Sequence, residues 1–306
     1  MGESETDLKG QFSSMEHYPI RLGLTLWSHN QWQQSFYGKG TKPAERLAKY
    51  AQVFSTVEGN TTFYATPSAQ TVLNWRDATP DHFRFTFKLP KAITHEQLLK
   101  NSRGELLNFL KVMEPLSEKV GQWTIQLPAT FGFEDLERLK LFCQNFPKAF
   151  NLGIEVRNPA FFAKGEAETA LNSWMVDQGI NRVIMDSRPV FAAAPTSEAV
   201  IDAHQKKPRV PVHALATAKR PMIRFIGHPD MEANSAFFTP WLAKLPLWVE
   251  QGIEPYLMIH TPDNVHAPEL AAQLYTQLKK HMGNNVTLPD LTPFPADVHQ
   301  SQFDLF

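Results

Sequence analysis

The run Thr56-Val57-Glu58-Gly59-Asn60-Thr61-Thr62-Phe63-Tyr64 sets a carboxylate, an amide, two hydroxyls and an aromatic pair directly behind a short apolar stretch. A carboxylate such as Glu58 can take or give a proton, and an amide such as Asn60 can orient a ligand hydroxyl. A second cluster is Glu155-Val156-Arg157. Side chains alternate along an extended segment, so Glu155 and Arg157 share one side of it. Asp186 closes another apolar stretch, Arg224 and His228 close the next, and Asn264 follows the last one through His260-Thr261-Pro262-Asp263. Glu58, Glu155 and Asp186 are the candidate catalytic groups. Trp27, Asn60, Lys88, His95, Gln126, Arg157, Arg224, His228 and Asn264 are the candidate ligand-binding groups.

Each has more than one chemistry open to it. Arg157 and Arg224 suit a phosphate or carboxylate, because guanidinium binds planar anions through two parallel bonds. They serve equally as counter-charges for Glu58 and Asp186. His95 fits a general acid or base near neutral pH, or a loop hydrogen bonder. Glu58, Glu155, Asp186 and His228 are also ligand types of divalent-metal sites. No HxH, HExxH or CxxC spacing accompanies them, and two arginines in one place oppose a strongly cationic centre. A divalent metal is the secondary reading, and no cofactor is assigned.

These residues need a scaffold that gathers strand ends. Strand-type runs are expected at 20–26, 53–57, 83–88, 122–127, 152–156, 182–185, 221–226 and 255–259. Helical spacing is expected at 43–53, 67–75, 104–116, 133–146, 166–178, 237–251 and 267–282, with Gly179 and Gly252 as stops. This alternation predicts an α/β fold, a (β/α)8 TIM barrel with its site at the C-terminal strand ends. An open doubly wound sheet is the runner-up, weakened because no Gly-rich phosphate loop follows the first strand. The Pro- and Ala-rich stretch 187–220 is expected to be a long loop, of lid or insertion type. Lys206, Lys207 and Arg209 within it read as a solvated face.

The chain has 306 residues, of which 42% are hydrophobic, which suffices for one large core. Its 30 basic and 31 acidic residues give a formal charge of -1, so no global attraction to nucleic acid or acidic membranes follows. The single cysteine, Cys143, excludes an intrachain disulfide and is expected to be an inert core thiol. With no apolar run of membrane length and no secretory pattern at the start, a soluble cytoplasmic protein is expected. The expected organisation is a flexible leader at 1–18, the barrel at 19–282 and an extended tail at 283–306.

The ordered motifs also carry a resemblance. They are Leu26-Trp27 with Trp32 and Phe36-Tyr37-Gly38, then Phe54 to Tyr64 with Pro67, Trp75, Lys88 and Ile93-Thr94-His95. Gln126-Leu127-Pro128, Glu155 to Asn158, Asp186, Arg224 with Gly227, and Asn264 with Ala267 continue the series. The chain resembles the YecE-like family, known as domain of unknown function seventy-two. The resemblance implies a TIM barrel with a polar pocket at its mouth and says little about reaction. A relation to sugar isomerases is an analogy of fold. This chain departs from the family pattern at Gly59, at Arg157-Asn158 and around His228 and His260.

The sequence ends with Gln302-Phe303-Asp304-Leu305-Phe306. This resembles the short peptide by which bacterial polymerases and repair proteins bind the β sliding clamp. Leu305 and Phe306 would fill an apolar groove while Gln302 bonds at its edge, with the prolines at 289, 293 and 295 in a tether. The alternative is that Phe303, Leu305 and Phe306 fold back onto the barrel.

Two functions are thus in view. The first is an enzyme, an isomerase or hydrolase, acting on a small polar or phosphorylated ligand: a sugar, nucleotide or DNA end. The second is a non-catalytic accessory protein recruited to the sliding clamp.

Overall fold

The structure is a computed structural model that describes residues 18–282 and 286–298. All but the last residue of the leader expected at 1–18, and the clamp-type residues Gln302, Phe303, Asp304, Leu305 and Phe306, lie outside the described residues.

Eight parallel strands close on themselves in sequence order. They are β1 (Arg21–Leu24), β2 (Thr56–Gly59), β3 (Arg84–Lys88), β4 (Val120–Gln126), β5 (Leu152–Glu155), β6 (Asn181–Asp186), β7 (Met222–Ile226) and β8 (Tyr256–His260). Closure is the pairing of β8 with β1, from Arg21 opposite Tyr256 to Leu24 opposite Ile259. Between and after the strands run α1 (Arg46–Val53), α2 (Thr61–Tyr64), α3 (Ala69–Asp77), α4 (Arg103–Met113), α5 (Leu136–Cys143) and α6 (Glu166–Gln178). Then come α7 (Arg188–Ala192), α8 (Glu198–Lys206), α9 (Asn234–Glu250) and α10 (Ala267–His281). The expected TIM barrel is the architecture observed. No helix among the described residues is long and apolar enough to cross a membrane.

Alternation divides each strand between two environments. Val57, Phe85, Phe87, Trp123, Ile125, Ile154, Phe225 and Ile259 belong to the main apolar core, in which the helices are packed. Aromatic rings dominate one side of that layer: Trp75 stacks on Phe87 at 5.6 Å, and Phe109 meets Trp123 edge-on at 5.7 Å. The opposite faces point into the lumen. Val183, Met222, Tyr256 and Met258 form a small apolar cluster of their own there. Tyr256 reaches from β8 to β4, where a Cβ on Gly121 would lie 2.2 Å from its hydroxyl oxygen. Glycine at 121 is what admits that ring. Polar side chains fill the remaining lumen on β2 to β5: Thr56, Glu58, Thr86, Lys88, Gln122, Thr124, Gln126 and Glu155, all buried.

Three expectations change. The second strand begins at Thr56 rather than Val53, because Val53 completes α1 and the Phe54 amide still bonds the Tyr50 carbonyl. Glu58 therefore lies inside the strand. The stretch 187–220 is not an unstructured loop but carries α7 and α8. Ser197 caps α8 by accepting from the Val200 amide at 3.3 Å, and Val200 and Ala203 bury its inner face. Residues 286–298, expected to be a free extended tether, lie against the barrel. Leu288 is buried, Phe294 meets Phe36 edge-on at 5.0 Å, and the Pro289 carbonyl accepts from the Tyr275 hydroxyl at 3.1 Å.

Candidate functional site

At the C-terminal end of the lumen five charged side chains form one alternating chain. Lys88 Nζ lies 3.2 Å from Glu58 Oε1, and Arg224 Nε lies 2.8 Å from Glu58 Oε2. Arg224 Nη1 donates to Glu155 Oε2 at 3.1 Å, Arg157 Nε donates to Glu155 Oε1 at 2.8 Å, and Arg157 Nη2 lies 2.7 Å from the same oxygen. Strand alternation points Glu58, Lys88, Glu155 and Arg224 inward, while Arg157 folds back over the end of β5. The order is Lys88, Glu58, Arg224, Glu155, Arg157, so β2, β3, β5 and β7 are joined across the mouth. Glu58 and Glu155 are each 1% exposed and Arg224 is 3% exposed. Ions so removed from water persist only when paired.

Charge sets their protonation. Burial pushes the Glu58 carboxyl up, but Arg224 and Lys88 together hold it below its ordinary value. Burial likewise raises Glu155, yet Arg157, Arg224 and Lys88 bring it down to about 2. Both are carboxylates at neutral pH. Burial, reinforced by Arg224, lowers Lys88, and Glu58 only partly restores it. Arg224 is raised because Glu58 and Glu155 outweigh its burial.

The mouth is nonetheless rich in unused acceptors. Both Glu58 oxygens have cations close by but receive no well-aligned hydrogen bond. The Oε1 atoms of Gln122 and Gln126 and Nε2 of His260 are buried without a hydrogen-bond partner among the described residues. His260 Nδ1 donates to Asn264 Oδ1 at 3.2 Å, which leaves the Nε2 lone pair free toward the lumen. Burial first, then Lys207, Arg224 and Lys88, holds this imidazole well below its ordinary pKa, so it is neutral. Buried polar atoms normally find partners, so these acceptors have hydrogen-bonding capacity to spare.

The structure brings Glu58, Lys88, Glu155, Arg157 and Arg224 into contact, with Gln126 in register beside Glu155. His95 stands beside them, half-buried; its Nδ1 is 2.9 Å from Thr94 Oγ1 and its ring meets Phe63 edge-on at 5.0 Å. Burial, followed by Arg157, lowers its pKa. Asn60 is at the rim, donating to the Thr25 carbonyl at 2.7 Å and tying the ends of β1 and β2 together.

Four candidates make other contacts. Asp186 faces the helix layer, because it pairs in register with outward Phe225. Its oxygens accept from Arg188 at 2.9 and 2.7 Å and from the Trp241 indole at 2.8 Å. That makes it a satisfied structural carboxylate, not a partner of Glu58 and Glu155. Trp27 packs its ring on Trp75 and Phe85, at 5.3 and 6.2 Å, outside the lumen. His228 shapes the turn after β7 by accepting from the Asp230 amide at 3.0 Å. Asn264, at a positive φ of 62°, accepts from His260 Nδ1 at 3.2 Å. With Asp186 and His228 elsewhere, no group of three or more His, Cys, Asp or Glu among the described residues is placed to hold a metal ion.

Two residues outside the candidate site set deserve a place beside it: His260, noted at the end of the last strand without a role, and Lys207. His260 is the last residue of β8, with the inward parity of Met258 and Tyr256; that parity was a usable signal. Lys207, expected on a solvated face, is half-buried. Burial first, then Arg224 and Lys88, brings its amine down to about 7. Nothing in a Lys-Lys pair announces this. Cys143 is as inert as expected, its thiol pushed up to about 12 by burial.

Comparisons with known proteins agree with this architecture. The family described as "Protein of unknown function DUF72" matches residues 21–293. The chain is 48% identical to UPF0759 protein YecE of Escherichia coli (strain K12) over 282 residues, covering 92% of this chain and 98% of that protein. Among solved structures, a DUF72 family protein of Thermotoga maritima MSB8 superposes with a TM-score of 0.65 at 22% identity, covering 85% of this chain and 98% of that one. One from Enterococcus faecalis V583 gives 0.62 at 24% identity, covering 90% and 98%. At those identities the two structures speak to the fold alone. By the span of the family match and the identity to YecE, this chain belongs to the DUF72 family of TIM-barrel proteins.

Proposed function

We propose that the barrel mouth binds a small anionic ligand that also carries hydroxyl groups, such as a phosphorylated sugar or nucleotide, and acts on it enzymatically. One observation carries this reading: three cations, Lys88, Arg157 and Arg224, are paired with only two carboxylates, Glu58 and Glu155, beside several unfilled acceptors. Surplus positive charge draws an anion, and empty acceptors suit hydroxyl donors. Arg157, the most accessible arginine of the chain of ions, meets the anion; Glu58 and Gln126 receive hydroxyls. Neither glutamate is protonated at neutral pH, so each is a base rather than an acid. Neutral His260 supplies the lone pair for proton shuttling. Isomerisation or hydrolysis both use such a set.

The test is thermal unfolding with inorganic phosphate and with glucose 6-phosphate. A ligand at a hundred times its Kd stabilises by about 2.7 kcal/mol, so the midpoint rises by a few degrees. In Arg157→Gln that rise shrinks or disappears. An equal rise with chloride at matched ionic strength, or an unaltered response in the variant, sinks the reading.

A second reading rests on Gln302-Phe303-Asp304-Leu305-Phe306, whose pattern suits the sliding-clamp groove. In that reading the barrel is an accessory cargo and the clamp its partner. Binding of purified bacterial β clamp to the full chain, and not to a version ending at Ser301, supports it. Equal binding or none by both removes it.

A further inference from the structure

The short helix after β2 presents two aromatic rings at the edge of the mouth. Hydrogen bonds hold it in place from both sides. The Asn60 side chain donates to the Thr25 carbonyl at 2.7 Å, and the Phe63 amide bonds the Asn60 carbonyl at 3.1 Å. Thr62, fully buried, donates from Oγ1 to the Lys88 carbonyl at 2.7 Å, which ties α2 to the last residue of β3. Phe63, next in the chain, is half-buried. Tyr64 is 73% exposed, more than any other large apolar side chain among the described residues.

A lone exposed ring needs no explanation. This pair differs from one because of what it borders. The centre of the Phe63 ring lies 5.9 Å from Lys88 Nζ, and that amine is 3.2 Å from Glu58 in the chain of ions. His95 stands nearly perpendicular to Phe63 at 5.0 Å, and Tyr64 does the same at 5.3 Å. The rings therefore lead from solvent, at Tyr64, through Phe63 to the buried amine of Lys88.

We propose that Phe63 and Tyr64 form a stacking platform for the base of a nucleoside monophosphate whose phosphate meets the cations of the mouth. The inference rests on the anion-binding reading above and narrows its ligand to nucleotides. Aromatic side chains accept planar bases by stacking, with little regard to which base is offered. A ligand made only of phosphate and hydroxyl groups sets nothing flat against these rings. In a nucleotide the base and the phosphate lie on either side of the ribose, and here rings and cations lie side by side across the contact of Phe63 with Lys88. Because the turn is already tied to β1 and β3, the platform is formed before the ligand arrives, which spares binding the cost of ordering it.

The experiment titrates the full chain at pH 7 with adenosine 5′-monophosphate, ribose 5-phosphate and inorganic phosphate, read by isothermal calorimetry. Ribose 5-phosphate is the same nucleotide without its base. The native chain is expected to bind the nucleotide about tenfold more tightly than ribose 5-phosphate. Tyr64→Ala, at an exposed position where truncation spares the core, removes most of that difference and leaves ribose 5-phosphate binding unchanged. Tyr64→Trp keeps the difference. Equal affinity for the two sugar phosphates in the native chain overturns the platform, and the anion reading stands. A preference that survives Tyr64→Ala combined with Phe63→Leu does the same. Equal weakening of all three ligands by Tyr64→Ala also overturns it, because the ring then supports the mouth rather than a base. Binding of none of the three overturns the anion reading and the platform together.

Discussion

Glu155 shows how strongly a single residue is committed to its partners. It is buried, and three cations hold its carboxyl down at about 2. Its folded pKa lies below its unfolded value near 4.5, so its contribution to stability is complete above that value and fades as pH falls toward 2. Glu155→Gln leaves Arg224 and Arg157 short of one counter-charge. Breaking a buried pair this way costs about 3–5 kcal/mol. Urea unfolding at pH 7 should show that loss, and the variant should lose less further stability than the native chain between pH 5 and pH 3. Equal acid sensitivity in both would show that the Glu155 carboxylate is not held by these ions.

At the scale of elements, the lumen is shaped by small residues that let large ones across. Gly121→Ala drives a methyl carbon into the Tyr256 hydroxyl. Overpacking of this kind costs about 1–3 kcal/mol. Adding Tyr256→Phe removes the nearest atom and should recover part of the loss in thermal melts; no recovery would mean that the backbone of β4, not the ring, is the obstacle. The strand order and the outward aromatic face were legible in the sequence, because alternation at Phe83, Phe85 and Phe87 and the helix stops at Gly179 and Gly252 are local signals. The inward set was legible wherever a charged residue ended a strand, as at Glu155 and Lys88. Asp186 misled for a physical reason: the last residue of a strand can point either way, and only its pairing with Trp241 and Arg188 shows which. Lys207 was invisible because its burial comes from the path of the chain after α8, not from its own neighbours in sequence.

For the molecule as a whole, the two ends of the barrel divide the work. The C-terminal end holds the charges. The N-terminal end has a groove of about 600 Å³ lined by Tyr18, Val53, Phe54, Tyr275 and the segment from Pro289 to Thr292, remote from every candidate catalytic group. There the strap at 286–298 clamps α10 to the barrel. Leu288→Ala empties a fully packed position and should cost about 2–5 kcal/mol in urea unfolding. Phosphate binding at the other end should be unchanged in that variant at low temperature; a parallel loss of both would mean the two ends are coupled. Arg224 carries a different kind of consequence. It touches carboxylates from both β2 and β5, so exchanging Arg224 alone takes a cation from two buried charges at once, whereas Glu58 without Lys88, or Glu155 without Arg157, keeps Arg224. A neutral residue at 224 is therefore expected to be accommodated only together with neutral partners at 58 and 155, whereas the two ends of the ion chain can change one at a time.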